Sequence, residues 1–273
     1  AGCTIPFISR YRKEATGNLN EVQITAIDDL ATQLDEVQKR KETILKTIGA
    51  QGKLTDELRR RIEASWDATE LEDLYMPYKP RRRTRAQVAR EQGLEPLATL
   101  LLLQREPHPE ASARRFINAD VPDTAAALHG AQDIIAENIS EDERSRQLVR
   151  QAFARQAVIT ARVIEKMRHE DSAQKFADYF SFSEDLRRCS SHRLLAMRRG
   201  EQEGYLRVAI TIDDDACISR LQRLHVYGTG PCQKWVNEAV ADAYSRLLRP
   251  SIENEFAAQS KTKADSEAID VFQ

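Results

Sequence analysis

Apolar residues at Ile27, Leu30, Leu34, Val37, Ile44 and Ile48 recur in alternating steps of three and four, with Lys41 in one seam position. That spacing keeps one helix face apolar and predicts a long amphipathic helix of coiled-coil character, ended by Gly49 and Gly52. Thr55 is placed to cap a second helix with Leu58 and Ile62 on its buried side, so residues 22–66 read as an antiparallel helical hairpin, an arm or spacer. Asp67 with Glu70 spells a capping box for a short helix carrying Leu71, Leu74 and Tyr75, and Thr84 with Gln87 spells another. Gly93 reads as a C-terminal cap, Pro96 opens a Leu-rich helix to Gln104, and Pro107-His108-Pro109 reads as a linker.

Beyond the linker the pattern predicts short helices over residues 110–117 and 124–138. Ser140 with Glu143 then predicts a long helix reaching about Arg168. Two short helices before a longer one are compatible with a helix-turn-helix, a pattern any small helical bundle shares. Phe176, Tyr179, Phe180 and Phe182 read mainly as core, although aromatic rings can also stack on bases. A helix is expected from Ser190 or Ser191 through Arg199, closed by Gly200 or Gly204. Residues 205–212 alternate well enough to be the one evident strand. Asp213-Asp214-Asp215 reads as a helix start ahead of a metal site, and Gly228-Thr229-Gly230-Pro231 as a turn before the last two helices. The expected fold is mainly α: a multi-helix assembly with a long helical hairpin, a helix-turn-helix-like module and at most a minor β element. Three regions follow, a helical one at 1–105, the helix-turn-helix-like module at 106–185 and a further helical one at 186–273.

Composition narrows the partners. The chain has 273 residues and a formal net charge of −2, so any affinity for a polyanion has to come from a local patch. No apolar run approaches the roughly 20 residues needed to span a membrane. Cys3, Cys189, Cys217 and Cys232 have neither close pairing nor histidine partners at zinc spacing, which suits a reducing cytoplasm. The first residue is not methionine and an amphipathic pattern still runs at the last, so the sequence reads as a segment of something longer.

Charge is concentrated in one place. Between Lys79 and Arg90 stand six cations (Lys79, Arg81, Arg82, Arg83, Arg85 and Arg90) and no acid. Pro77 and Pro80 bias this stretch toward a stiff, extended ribbon. The arginines just before the Thr84 cap face a helix N-terminus that also favours anions. The chemistry points to phosphate contacts that do not read sequence, with Arg193, Arg198 and Arg199 extending the track. Full engagement of the six would give log affinity against log salt a slope of about −4 for a single strand. The alternative is a protein-interaction or interdomain scaffold in which the cluster pairs with some of the chain's 43 acids as a salt-bridge hub. Arg10, Arg12, Lys13 and Glu14, with mixed signs, are expected to pair structurally.

No catalytic constellation emerges. The five histidines are scattered, none lies in a His-Glu-x-x-His frame, and Ser191-His192 are helix neighbours whose side chains diverge. Gly228 and Gly230 lack the third glycine of a dinucleotide loop. A non-enzymatic chain with no cofactor and no metal is expected.

Several stretches resemble the N-terminal part of the bacterial Tex family of transcription accessory proteins. They are Ile5-Pro6-Phe7-Ile8-Ser9-Arg10-Tyr11-Arg12-Lys13-Glu14-Ala15-Thr16-Gly17, Leu71-Glu72-Asp73-Leu74-Tyr75-Met76-Pro77-Tyr78-Lys79-Pro80, Gly93-Leu94-Glu95-Pro96-Leu97, Ser191-His192-Arg193-Leu194-Leu195-Ala196-Met197-Arg198-Arg199-Gly200-Glu201 and Arg246-Leu247-Leu248-Arg249-Pro250-Ser251-Ile252-Glu253-Asn254-Glu255. They occur in family order along the whole chain. The resemblance implies a role in transcription with nucleic acid, and contact with the transcription machinery, as partners. It also implies that this region precedes a nuclease-like domain, helix-hairpin-helix modules and an OB-fold RNA-binding domain, none of which lies within these residues.

Overall fold

The structure, a computed structural model, describes residues 4–79 and 83–272, with side chains through Glu267. It is mainly α with one small sheet and separates into two compact units, Ala1–Arg81 and Arg82–Gln273. Their division falls in the Pro/Arg segment; Pro80, Arg81 and Arg82 lie outside the described residues.

The first unit holds α1 (Ile5–Tyr11), α2 (Lys13–Thr16), α3 (Glu21–Ala50), α4 (Asp56–Ala64) and α5 (Ala68–Tyr75). Asn20 and Gln23 form a reciprocal capping box that starts α3: Gln23 N–H donates to Asn20 Oδ1 at 2.8 Å and Asn20 N–H to Gln23 Oε1 at 3.0 Å. The C-terminal half of the α3 seam is core, where Ile44 and Ile48 pack with Ile62, Leu71, Leu74 and Tyr75. The N-terminal half is different: Ile27, Leu30 and Leu34 are exposed. Lys41 keeps its seam position buried by donating from Nζ to the Glu63 carbonyl at 2.9 Å, with Nζ 3.7 Å from the Trp66 ring centroid. Asp67 caps α5 through Thr69 N–H, but Glu70 accepts from Ser65 Oγ at 2.5 Å instead of closing the box. Arg10, Arg12, Lys13 and Glu14, at the end of α1, the junction and the start of α2, are exposed and make no ion pair among the described residues.

The second unit is built around α9 (Thr124–Glu141), whose Ala127, Leu128, Ala131, Ile134, Ile135 and Ile139 are buried. Around it lie α6 (Arg85–Glu91), α7 (Glu95–Leu103), α8 (Pro109–Ala113), α10 (Glu143–Gln156) and α13 (Cys232–Asp242), and α12 (Asp214–His225) packs on α10 and α13. At Gly130 a Cβ would stand 2.3 Å from Leu94 Cδ1, so glycine lets α9 approach the α6–α7 corner. A π-helical stretch, Ala243–Leu248, joins α13 to α14 (Arg249–Phe272).

The expected helix to Arg168 does not form. Asp142, not Ser140, caps α10 by accepting from Ser145 N–H at 2.9 Å, and α10 stops at Gln156. Val158, Ile159, Thr160 and Val163 then belong to β1 (Val158–Val163), because β-branched residues with alternating burial suit a pleated surface. β1 is the centre of an antiparallel sheet, flanked by β2 (Ser181–Asp185) and β3 (Leu206–Thr211). One sheet face meets Phe176 and α11 (Ser191–Gln202) in a second core with Ile159, Ala161, Leu206, Val208, Leu194 and Met197. The strand expected at 205–212 is thus β3, and Phe176 is core as its spacing implied.

Candidate functional site

The proline-braced segment begins with a 3₁₀ turn, Met76–Tyr78, whose Tyr78 carbonyl accepts from Gln51 Nε2 at 2.7 Å. Lys79 follows, extended and exposed, in the first unit. Arg81 and Arg82 lie outside the described residues. In the second unit Thr84 caps α6 by accepting from Gln87 N–H at 3.0 Å, while the Gln87 amide reaches forward to Glu91.

The cations from here on divide into those tied to acids and those left open. Arg83 grips Glu91 at 2.6 Å while remaining 67 % exposed. Arg90 is 29 % exposed and contacts Glu137 at 2.5 Å, Asn138 at 3.0 Å and Glu95 at 3.6 Å. Glu137 is itself only 11 % exposed, so Arg90 fastens α6 to the middle of the core. Arg193 pairs with Glu184 at 3.0 Å, linking α11 to β2. Arg198 pairs with Glu201 at 2.8 Å, and Glu201 also accepts from Val208 N–H at 3.1 Å, linking α11 to β3. Arg85 lines a cleft of about 390 Å³ with Asp133, Glu238 and Asp242, and Arg246 pairs with both Asp133 and Asp242. Burial raises the Asp133 carboxyl above its ordinary value, against the pull of Arg246 and Arg85. Lys79 and Arg199 are exposed with no carboxylate partner among the described residues.

Strand pairing brings together a group that no linear reading could assemble. Arg162 on β1 stands directly opposite Arg207 on β3, and Arg168 and Phe180 line the same cleft. The residues are dispersed in sequence, and the helix expected through Arg168 hid the pairing.

The titratable groups of the interior are held in inert forms. Burial, with Glu184 nearby, pushes the Cys189 thiol up to about 11, and burial also raises Cys217 and Cys232. Ser145 Oγ donates to Asp142 Oδ2 at 3.0 Å and therefore accepts from His225 Nε2 at 2.6 Å. This serine is fully buried, and its carboxylate partner sits on the serine, not behind the imidazole, so the trio is a helix cap tied to the end of α12. No group of three or more metal-ligating side chains is found among the described residues.

Comparison with known proteins identifies relatives along the chain. The Tex central region-like family model matches residues 104–272, and the Tex-like protein N-terminal domain model matches residues 1–49. An uncharacterized protein of Neisseria meningitidis serogroup B is 42 % identical over 277 residues, covering 99 % of this chain and 36 % of that protein. The transcriptional accessory protein Tex of Neisseria gonorrhoeae is 40 % identical, with the same coverage of both chains. S1 RNA-binding domain-containing protein 1 of Homo sapiens is 30 % identical over 98 % of this chain and 28 % of that protein. The chain therefore spans about a third of the length of the curated relatives it matches. By the match of its larger part to the central-region model and by relatives along its full span, this chain belongs to the Tex family.

Proposed function

We propose that this chain is a non-catalytic, helical scaffold within a cytoplasmic transcription accessory protein, and that the arginines of its basic segment chiefly hold elements together. The observation that carries this reading is Arg90, whose half-buried guanidinium spans Glu137, Asn138 and Glu95. A guanidinium committed to three partners, one of them the buried Glu137, is poorly placed to exchange them for a phosphate. The scaffold would present surfaces to the transcription machinery and to the remainder of a longer protein. No described helix is long and apolar enough to cross a membrane.

A second reading, sequence-independent nucleic-acid binding by the same segment, is supported by the exposure of Lys79, Arg83 and Arg199. One relative, S1 RNA-binding domain-containing protein 1, is named for an RNA-binding domain, which fits that reading for the family. Fluorescence anisotropy with single- and double-stranded probes at two salt concentrations separates the two. For Arg82→Glu/Arg83→Glu the scaffold reading expects unchanged titrations. Nucleic-acid contact expects weaker binding to all sequences alike and a log–log salt slope flatter by about 1.4 for a single strand.

A further inference from the structure

The solvent face of the three-stranded sheet carries an arrangement that the fold does not need. Arg162 and Arg207 are registered directly opposite each other on β1 and β3, and both side chains are exposed. Directly opposed residues have Cα atoms about 4.5–5.5 Å apart, and like charges in that position destabilise an antiparallel pair. Neither arginine has a carboxylate partner among the described residues. Ser181 of β2 continues the row on the other side of Arg162. Arg168 enters from the turn after β1, its guanidinium carbon 5.9 Å from the Phe180 ring centroid. These groups line an open cleft of about 370 Å³. The one carboxylate there, Glu165, is held by Arg168 through two hydrogen bonds of 2.8 and 2.9 Å. Three guanidinium groups thus face a single carboxylate that is already engaged.

We propose that this cleft binds the phosphate backbone of a single-stranded nucleic acid. Arg162 and Arg207 would take phosphate oxygens, the charge-assisted contacts that relieve their mutual repulsion. Phe180 beside them supplies an apolar ring at the edge of the same cleft, and paired cations with an adjacent aromatic ring are what single-strand binding surfaces combine. A concave site on a sheet admits a flexible strand whose bases can turn toward the ring, whereas a duplex keeps its bases stacked inside. The site uses none of the arginines of the basic segment, so it goes beyond the scaffold reading and stands or falls separately.

The test is anisotropy of the full 273-residue chain with a fluorescein-labelled oligothymidylate of about 16 nucleotides, and with the matching duplex, at about 50 and about 200 mM salt. Arg162→Gln/Arg207→Gln is expected to weaken single-strand binding about tenfold and to flatten the salt slope by about 1.4, with no fall in melting temperature. Phe180→Leu is expected to lower affinity about threefold to tenfold while leaving the slope unchanged. Arg187→Gln/Arg188→Gln, which removes two cations already beside Asp185, is expected to change neither quantity. Retention of wild-type affinity and slope by Arg162→Gln/Arg207→Gln overturns the site. So does an equal loss in Arg187→Gln/Arg188→Gln, which would mean diffuse charge, or duplex binding as tight as single-strand binding.

Discussion

Two residues of this protein put measurable stress on single contacts. Arg90→Ala would remove the 2.5 Å contact to the buried Glu137, and breaking a largely buried pair from one side costs about 2–4 kcal/mol. Chemical denaturation should show a lower midpoint with an unchanged m-value; a midpoint within error of wild type would remove Arg90 as a structural tie. His225 has an opposite sensitivity. Burial, reinforced by Arg144 and opposed by Asp142, holds its imidazole below the ordinary value of about 6.5. The unfolded chain then binds the extra proton first, so this residue's contribution is complete above about pH 6.5 and declines as pH falls toward the folded-state value. The melting temperature should fall on acidification through that window, and His225→Gln should show a shallower fall.

At the scale of elements, local signals read well wherever a side chain caps its own helix. Thr55, Asp67 and Thr84 all accept backbone N–H groups where the sequence places them, and the hairpin of α3 and α4 follows from its apolar spacing. What escaped was set by distant partners. The stretch after Gln156 carries enough apolar residues to continue a helix, and only pairing with β2 and β3 makes it a strand. The candidate site was legible as a charge cluster, but the acids that engage it, Glu137 for Arg90 and Glu184 for Arg193, lie on other elements and gave no local sign. Gly130 is another such case, a plain mid-helix glycine whose reason is Leu94. Gly130→Ala should destabilise by about 1–2 kcal/mol, overpacking against the buried Leu94 outweighing the gain in helix propensity. Adding Leu94→Ala should make the pair less harmful than the sum of the two, as a double-mutant cycle would record.

On the scale of the molecule, the described residues of the first compact unit build one apolar cluster and those of the second build two. Residues 82–273 expressed alone should therefore unfold in one sharp transition; a broad, non-cooperative melt would show that the second unit depends on the first. Within that unit one helix answers to two clusters: Ile252 and Phe256 of α14 belong with the α9 core, and Ala264 with the sheet core. The wide turn Ala243–Leu248 ahead of it sets the helix's angular phase. Drawing the same residues into ordinary helical bonding, with none removed, would pack one residue too many into that turn and swing everything downstream by about 100° about its axis. Ile252 would rotate out toward water and Ala264 away from its neighbours, so the apparent irregularity is what keys one rod into two locks.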